Sequence, residues 1–309
     1  MDYIRYKLAF ETGLHVGADS LEDAAFSICS DTIFSALCIE ALKSGGVEEL
    51  DRFVGYCRKD EIKISDGFPY IGKGFYIPKP ICKVDKKEDG DSARKKLFKK
   101  LAYIREENIQ RYLDGELDPE QELAAFKELG AYALTAKVAL DTAENNNLYN
   151  VGSYHFHKDN GIFIIVGVKD EEKSEYMFNL LENLSYSGIG GKRSAGYGRF
   201  SLKGGVKETA SIAEAGQTGH KKYVLLSTAM AKEEELLQAL GNAQYQLIKR
   251  GGFVFSETYS EQPLKKNDFY SFQSGSVFER PFEGDIFDVS DNGTHPVYRY
   301  AKPMFLGVN

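Results

Sequence analysis

The segment that most limits how this chain folds is G-I-F-I-I-V-G-V at 161–168. Its apolar stretch, 162–168, is the longest in the sequence and is broken by a single glycine. A helix that spans a bilayer needs about 20 apolar residues, so this stretch cannot cross one. Preceded by the turn signal D-N-G at 159–161, it reads as a buried strand. Residues 149–157 alternate in character, and the two segments together predict a β-hairpin around that turn.

The rest of the first two-thirds is organised around that strand. Residues 3–10 alternate, with Ile4, Tyr6, Leu8 and Phe10 on one face, which predicts a half-buried strand. S-D-T-I-F-S-A-L follows, with Ser30 as the expected N-cap and Phe34, Leu37, Cys38 and Ala41 as one helical stripe. Gly45-Gly46 is expected to stop that helix, and a second short one covers 47–57. Residues 60–90 read as irregular. A helix is predicted over 92–113 from the spacing of Leu97, Leu101, Ile104 and Asn108. Another begins at Asp118-Pro119, with Leu123, Phe126 and Leu129 inward. Residues 171–184 form a further helix, with Tyr176, Leu180, Leu181 and Leu184 apolar, and a strand follows at 197–202.

Strand, helix, helical insertion, strand, strand, helix, strand is the order of a ferredoxin-like unit carrying an insertion. A polar stretch at 204–221 reads as a linker or long loop. After it the pattern restarts, with a strand from 222, a helix at 232–240 and strands at 244–250 and 252–258 about Gly251-Gly252. The expected architecture is therefore α+β, with a domain at 1–205 that holds a helical insertion at about 47–135. A second, degenerate ferredoxin-like domain occupies 222–309. A chain of 309 residues suits about two domains of ordinary size.

No signal-type segment opens the chain, and a cytoplasmic location without membrane association is expected. Cys29, Cys38, Cys57 and Cys82 show no C-x-x-C spacing, which predicts free thiols and neither a disulfide framework nor a zinc site. The five histidines likewise lack metal-ligand spacing. A net charge of −7 argues against a protein that coats nucleic acid generally, but phosphates respond to local potential.

That local potential is set at 187–200, S-G-I-G-G-K-R-S-A-G-Y-G-R-F. Five glycines, three cations and two aromatics share fourteen positions without a carboxylate. A P-loop needs Ser or Thr after its lysine, and here Lys192 is followed by Arg193. A dinucleotide fingerprint counted from Gly188 needs glycine where Arg193 stands. The context is also reversed, since a helix precedes the segment and a strand follows. No nucleotide cofactor is expected. What remains is a close-approaching backbone at Gly188, Gly190, Gly191, Ser194 and Gly198, cations at Lys192, Arg193 and Arg199, and a stacking ring at Tyr197.

A helix followed by G-I-G-G-K-R-S-A-G-Y-G-R-F and a strand resembles the C-terminal glycine-rich loop of the RAMP proteins of CRISPR systems. Six further stretches fall in order: H-V-G with S-D-T-I-F-S-A-L, G-F-Y-I-P-K-P, N-N-N-L-Y-N-V-G-S-Y-H-F, K-R-G-G-F-V-F-S, F-Q-S-G-S-V-F, and H-P-V-Y-R-Y-A-K-P-M-F-L-G-V. Together they resemble the family of fourth subunits of Csm (type III-A) effector complexes across 1–203 and 223–309. The resemblance implies two ferredoxin-like folds facing a central cleft and a subunit that holds the 5′ tag of the CRISPR RNA. Its implied partners are the large signature subunit and the first backbone RAMP subunit, and members are not themselves known as nucleases.

It also implies where RNA would be met. Arg250 beside Gly251-Gly252 repeats the cation-plus-glycine theme, and Lys265, Lys266 and Ser276 are candidates for the opposite cleft wall. Lys137 and Asn145, Asn146 and Asn147 fall where RAMP proteins project a thumb-like hairpin. Ser30 and Thr32, flanking Asp31 at a helix start, are candidate anion contacts. His15 lies in the early loop where some RAMP endoribonucleases carry histidine. A metal-independent endoribonuclease with His15 as acid or base is thus the alternative to a non-catalytic RNA-binding subunit. The basic tract Arg94, Lys95, Lys96, Lys99 and Lys100 reads as a solvated helix face.

Overall fold

The computed structural model describes residues 1–17, 20–83, 92–139, 147–207, 212–213, 219–256 and 258–309. The first part of the chain runs β1 (Asp2–Phe10), α1 (Ser30–Arg58), β2 (Ile62–Ile64), β3 (Phe68–Ile71), β4 (Gly74–Pro78), α2 (Ser92–Lys100) and β5 (Tyr103–Arg105). It continues through α3 (Ile109–Leu113), α4 (Pro119–Phe126), β6 (Gly130–Ala139), β7 (Asn147–Phe156), β8 (Asn160–Val168), α5 (Glu171–Ser187) and β9 (Phe200–Lys207). The remainder is β10 (Ile212–Ala213), β11 (Lys222–Leu225), α6 (Glu233–Ala239), β12 (Leu247–Arg250), β13 (Phe269–Phe272), β14 (Val277–Phe278), β15 (Ile286–Asp288), β16 (Tyr298–Tyr300) and β17 (Phe305–Val308).

β8 is buried at every position, as its unbroken apolar sequence requires. Its even-numbered residues Ile162, Ile164, Val166 and Val168 pack in one core with Phe34, Leu37, Leu180 and Leu184 of α1 and α5. Its odd-numbered Phe163 and Ile165 enter a second core with Val224, Leu226, Met304, Leu306 and Val308. The strand is therefore the wall shared by helices on one side and the second part of the chain on the other. The sheet around it is antiparallel in the order β5-β4-β3-β8-β1-β9, with β2 also pairing β8. Residues from 212 onward build a four-stranded sheet, β10-β17-β11-β14, with β12-β13 and β15-β16 as separate pairs.

Several expectations change. β7 does not pair with β8. The turn between them forms, with Asp159 at φ 64° and the Asn160 amide donating to the His157 carbonyl, but no ladder follows it. β3 takes the edge of β8, with Phe68 opposite Phe163, and β7 pairs with β6 along ten register positions as a ribbon of its own. The region read as irregular holds β2, β3 and β4. These are short, buried on both faces and punctuated by Pro69 and Gly74, so neither alternation nor length marks them. The helix expected over 92–113 breaks after Lys100, and Tyr103–Arg105 joins the sheet edge beside β4. Residues 252–256 form no strand beyond a bridge from Phe253 to Lys265.

α1 runs through Gly45-Gly46 as two helices joined at a kink, where Gly46 has φ 70°. Its N-cap position is Cys29, not Ser30, and no side chain of its own caps it. Asp66 does so from the β2–β3 connection by accepting the Ser30 amide at 2.7 Å. The same carboxylate accepts the Thr228 amide and hydroxyl, and Ser30 Oγ donates to the Thr228 carbonyl at 3.2 Å. A buried polar seam thus ties the first helix to the start of the second sheet. α4 begins as expected, with Asp118 accepting the Glu120 amide and Pro119 in its first turn.

Candidate nucleic-acid interface

The glycine segment joins α5 to β9, and it is pinned from below. Gly188 caps α5 with φ 77°, and the Ile189 side chain is buried. The Ile189 amide donates to the Gly198 carbonyl at 3.0 Å, which closes the loop on itself. The Gly198 amide donates to the Gly13 carbonyl and the Gly191 amide to the His15 carbonyl, so the early loop forms the floor. Gly198 has φ 76°, and an added Cβ would overlap the Ile189 carbonyl oxygen. These glycines let two backbone layers touch, and the Gly191 and Gly198 amides are taken up by that contact.

The loop's cationic side chains emerge on the outer layer. Lys192 sits in the left-handed region at φ 57° and Arg193 opens a single 3-10 turn to Ala195. The Lys192 Nζ lies 5.1 Å from the Tyr149 ring of β7. Lys137 of β6 reaches back over Tyr197 at 5.7 Å, so ribbon and loop exchange one cation–ring contact each way. The Arg193 guanidinium lies 5.0 Å from the ring of Phe255, which belongs to the far part of the chain. Arg199 and Ser194 are exposed. Among the described residues, Lys192, Arg193 and Arg199 take part in no ion pair.

The other candidates are placed differently. His15 is buried under the loop with Nδ1 2.7 Å from the Gly152 carbonyl oxygen. Ser30 is buried in the seam, and Ser276 is buried with its hydroxyl donating to the Gln273 carbonyl at 2.6 Å. Arg250 grips Asp31 with Nε and Nη2 at 3.0 and 2.9 Å, and Nη2 also donates to Thr32 Oγ1 at 2.9 Å. Arg299 adds a second ion pair to the same carboxylate, which is 1% exposed. Burial alone would raise the Asp31 pKa, but the two guanidiniums outweigh it and hold the carboxyl below its ordinary value. Lys266 stands near this group. Burial, then the charge of Arg299, pulls its ammonium down to about 8. Lys265 is exposed beside Phe253, at 5.6 Å from that ring. Asn145 and Asn146, and the side chain of Asn147, lie outside the described residues.

One surface therefore brings together Lys137, Lys192, Arg193 and Tyr197, and Arg199 is exposed two residues beyond Tyr197. Sequence reasoning missed Tyr149 and Phe255 on it. Their signal was faint, an aromatic two places after an asparagine run and another after a glycine pair. A cluster of His, Cys, Asp or Glu able to hold a metal does not occur among the described residues. Nor is any described helix long and apolar enough to cross a membrane.

A Csm4 protein of the CRISPR system of Mycobacterium tuberculosis is 37% identical to this chain over 295 residues, covering 95% of this chain and 94% of the relative. The chain belongs to the Csm4 family. The Csm4 protein of Streptococcus thermophilus is 34% identical and covers 99% of each chain. The family model for the CRISPR Csm4 C-terminal domain matches residues 218–308. Among solved structures, a Csm3-Csm4 subcomplex of the type III-A CRISPR-Cas interference complex is similar over 100% of both chains, with a TM-score of 0.67 at 19% identity. A Csm1-Csm4 cassette in complex with pppApA gives a TM-score of 0.64 at 17% identity, covering 100% of this chain and 98% of that one. These likenesses establish the fold, a mixed α/β chain of antiparallel sheets. Membership of the Csm4 family makes the chain a subunit of a Csm complex.

Proposed function

We propose that this subunit binds the 5′ repeat-derived tag of the CRISPR RNA without cutting it, and that it joins the large signature subunit to the RAMP backbone. The observation that carries the reading is the layered glycine loop. The inner amides of Gly198 and Gly191 are taken up by Gly13 and His15, and the half-buried cations Lys192 and Arg193 lie against the β6–β7 ribbon and Phe255 without an ion pair among the described residues. Single-stranded RNA needs phosphate neutralisation and ring faces in alternation, and this surface supplies both.

Two ferredoxin-like halves, 1–205 and 222–309, facing a cleft fit the same picture. The strand order β9-β1-β8-β3, with α1 after β1 and α5 after β8, supports this plan in the first half. The second half supplies three antiparallel strands, β17, β11 and β14, and the helix α6, with β10 from the preceding stretch added at the edge, which supports a degenerate copy. The ribbon β6–β7 supports a thumb at the position of Lys137. Joining two partners is supported by the solved relatives, which are described in a Csm3-Csm4 subcomplex and in Csm1-Csm4 cassettes. His15 supports a positioning role, since its carbonyl holds Gly191 and its ring is buried against Gly152.

Co-expression with the neighbouring genes, followed by sequencing of the co-purified RNA, tests the proposal. A uniform repeat-derived 5′ end is expected. RNA with scattered 5′ ends, or cleavage of repeat RNA that is lost in His15→Ala, would overturn it.

A further inference from the structure

Phe253 and Phe255 are 59% and 75% exposed, an unusual placement for two phenylalanines so close together. Their backbone is anchored rather than loose. The Val254 amide donates to the Leu264 carbonyl at 2.9 Å, and the Lys266 amide donates to the Gly252 carbonyl at 3.0 Å. The residue between the two rings is thus tied inward. Among the described residues, the charged groups that lie over the two rings are cations. Arg193 lies 5.0 Å from Phe255 and Lys265 lies 5.6 Å from Phe253. Arg193 also belongs to the glycine loop, so the strand that places a phosphate there has its neighbouring base within reach of Phe255.

We infer that Phe253 and Phe255 form a base-stacking platform, on which unpaired bases of the RNA adjoining the Arg193-bound phosphate lie. This inference rests on the RNA-binding reading of the loop. The chemistry favours a nucleic acid over an apolar protein patch because the ring neighbours are cations. A cation on one face of a ring leaves the other face for a base, and stacking accepts any base.

The test uses Csm complex reconstituted with this chain and a tag RNA oligonucleotide, with affinity measured across a salt series. Phe253→Ala with Phe255→Ala is expected to weaken binding about 5- to 150-fold for each base that no longer stacks, at unchanged salt slope, because stacking releases no counterions. Phe255→Tyr, which keeps the ring, is expected to bind as the parent does. An abasic site at one tag position should remove most of the effect of the alanine substitutions. Unchanged affinity in the alanine variant, while Lys192→Ala with Arg193→Ala weakens binding, overturns the platform and leaves the RNA-binding reading standing. Loss of the large subunit from the alanine variant would make the rings a protein contact and overturn the platform. A parent complex whose tag affinity is indifferent to Lys192 and Arg193 overturns both.

Discussion

Gly198 shows what the loop demands of a single residue. Its φ of 76° and the overlap of an added Cβ with the Ile189 carbonyl act together, and both partners are backbone. Gly198→Ala is expected to cost about 2 kcal/mol or more, read as a lower urea midpoint at constant slope. An unchanged midpoint would show that the two layers slip apart freely. Lys266 makes a prediction of the opposite sign. Its folded pKa is about 8 against about 10.4 for an ordinary lysine. Between those values the unfolded chain binds a proton that the folded chain does not, so stability rises with pH through that window. Below it the full penalty of a charged Lys266 near Arg299 and Arg250 is present. Lys266→Gln should therefore stabilise the isolated subunit at pH 7, and its advantage should fade as the pH rises from about 8 to about 10.4. A constant advantage would contradict this origin. The sequence made Lys192 and Arg193 legible because the same short segment carries glycines and cations. It could not show that Arg250 is held by Asp31, because the two stand 219 positions apart and meet only through the seam.

At the scale of elements, α5 delivers the chain to the loop, and its start is set by Asp170, which accepts the Lys173 amide at 3.0 Å. Asp170→Ala should lower stability by about 1 kcal/mol while leaving the complex's affinity for tag RNA unchanged. A loss of affinity would mean that the loop is positioned by the whole helix and not by its own floor. The long periodic elements β1, α1, α5 and β8 were readable, since each carries several turns or alternations of one pattern. β2, β3 and β4 were not, because strands of three to five residues buried on both faces lose the alternation that marks a strand. The partner of β7 was unreadable for another reason. A turn signal fixes where the chain bends, but β3, far earlier in the chain, competes for the same edge of β8 (the Phe68–Phe163 pairing).

At the scale of the molecule, one core contains Phe163 and Ile165 from the first sheet and Val224, Leu226 and Leu306 from the second. Asp66, Thr228 and Ser30 add a buried hydrogen-bonded seam, and the Ile64 amide donates to the Tyr300 hydroxyl at 2.9 Å. Neither sheet keeps its inner face covered without the other. Amide exchange is therefore expected to report one shared global unfolding free energy for β8 and for β11 and β17. A much lower value for β11 and β17 alone would contradict that coupling. On this frame the proposed function has Lys192 and Arg193 of the glycine loop take the phosphates of one RNA end. The most direct measurement is the salt dependence of tag RNA affinity in the reconstituted complex, with and without Lys192→Ala and Arg193→Ala. Weaker binding is expected in the doubly substituted complex, with a log–log slope shallower by roughly 1.4, the value for two single-strand phosphates left without their cations. Equal affinity and an equal slope in the two complexes would contradict it.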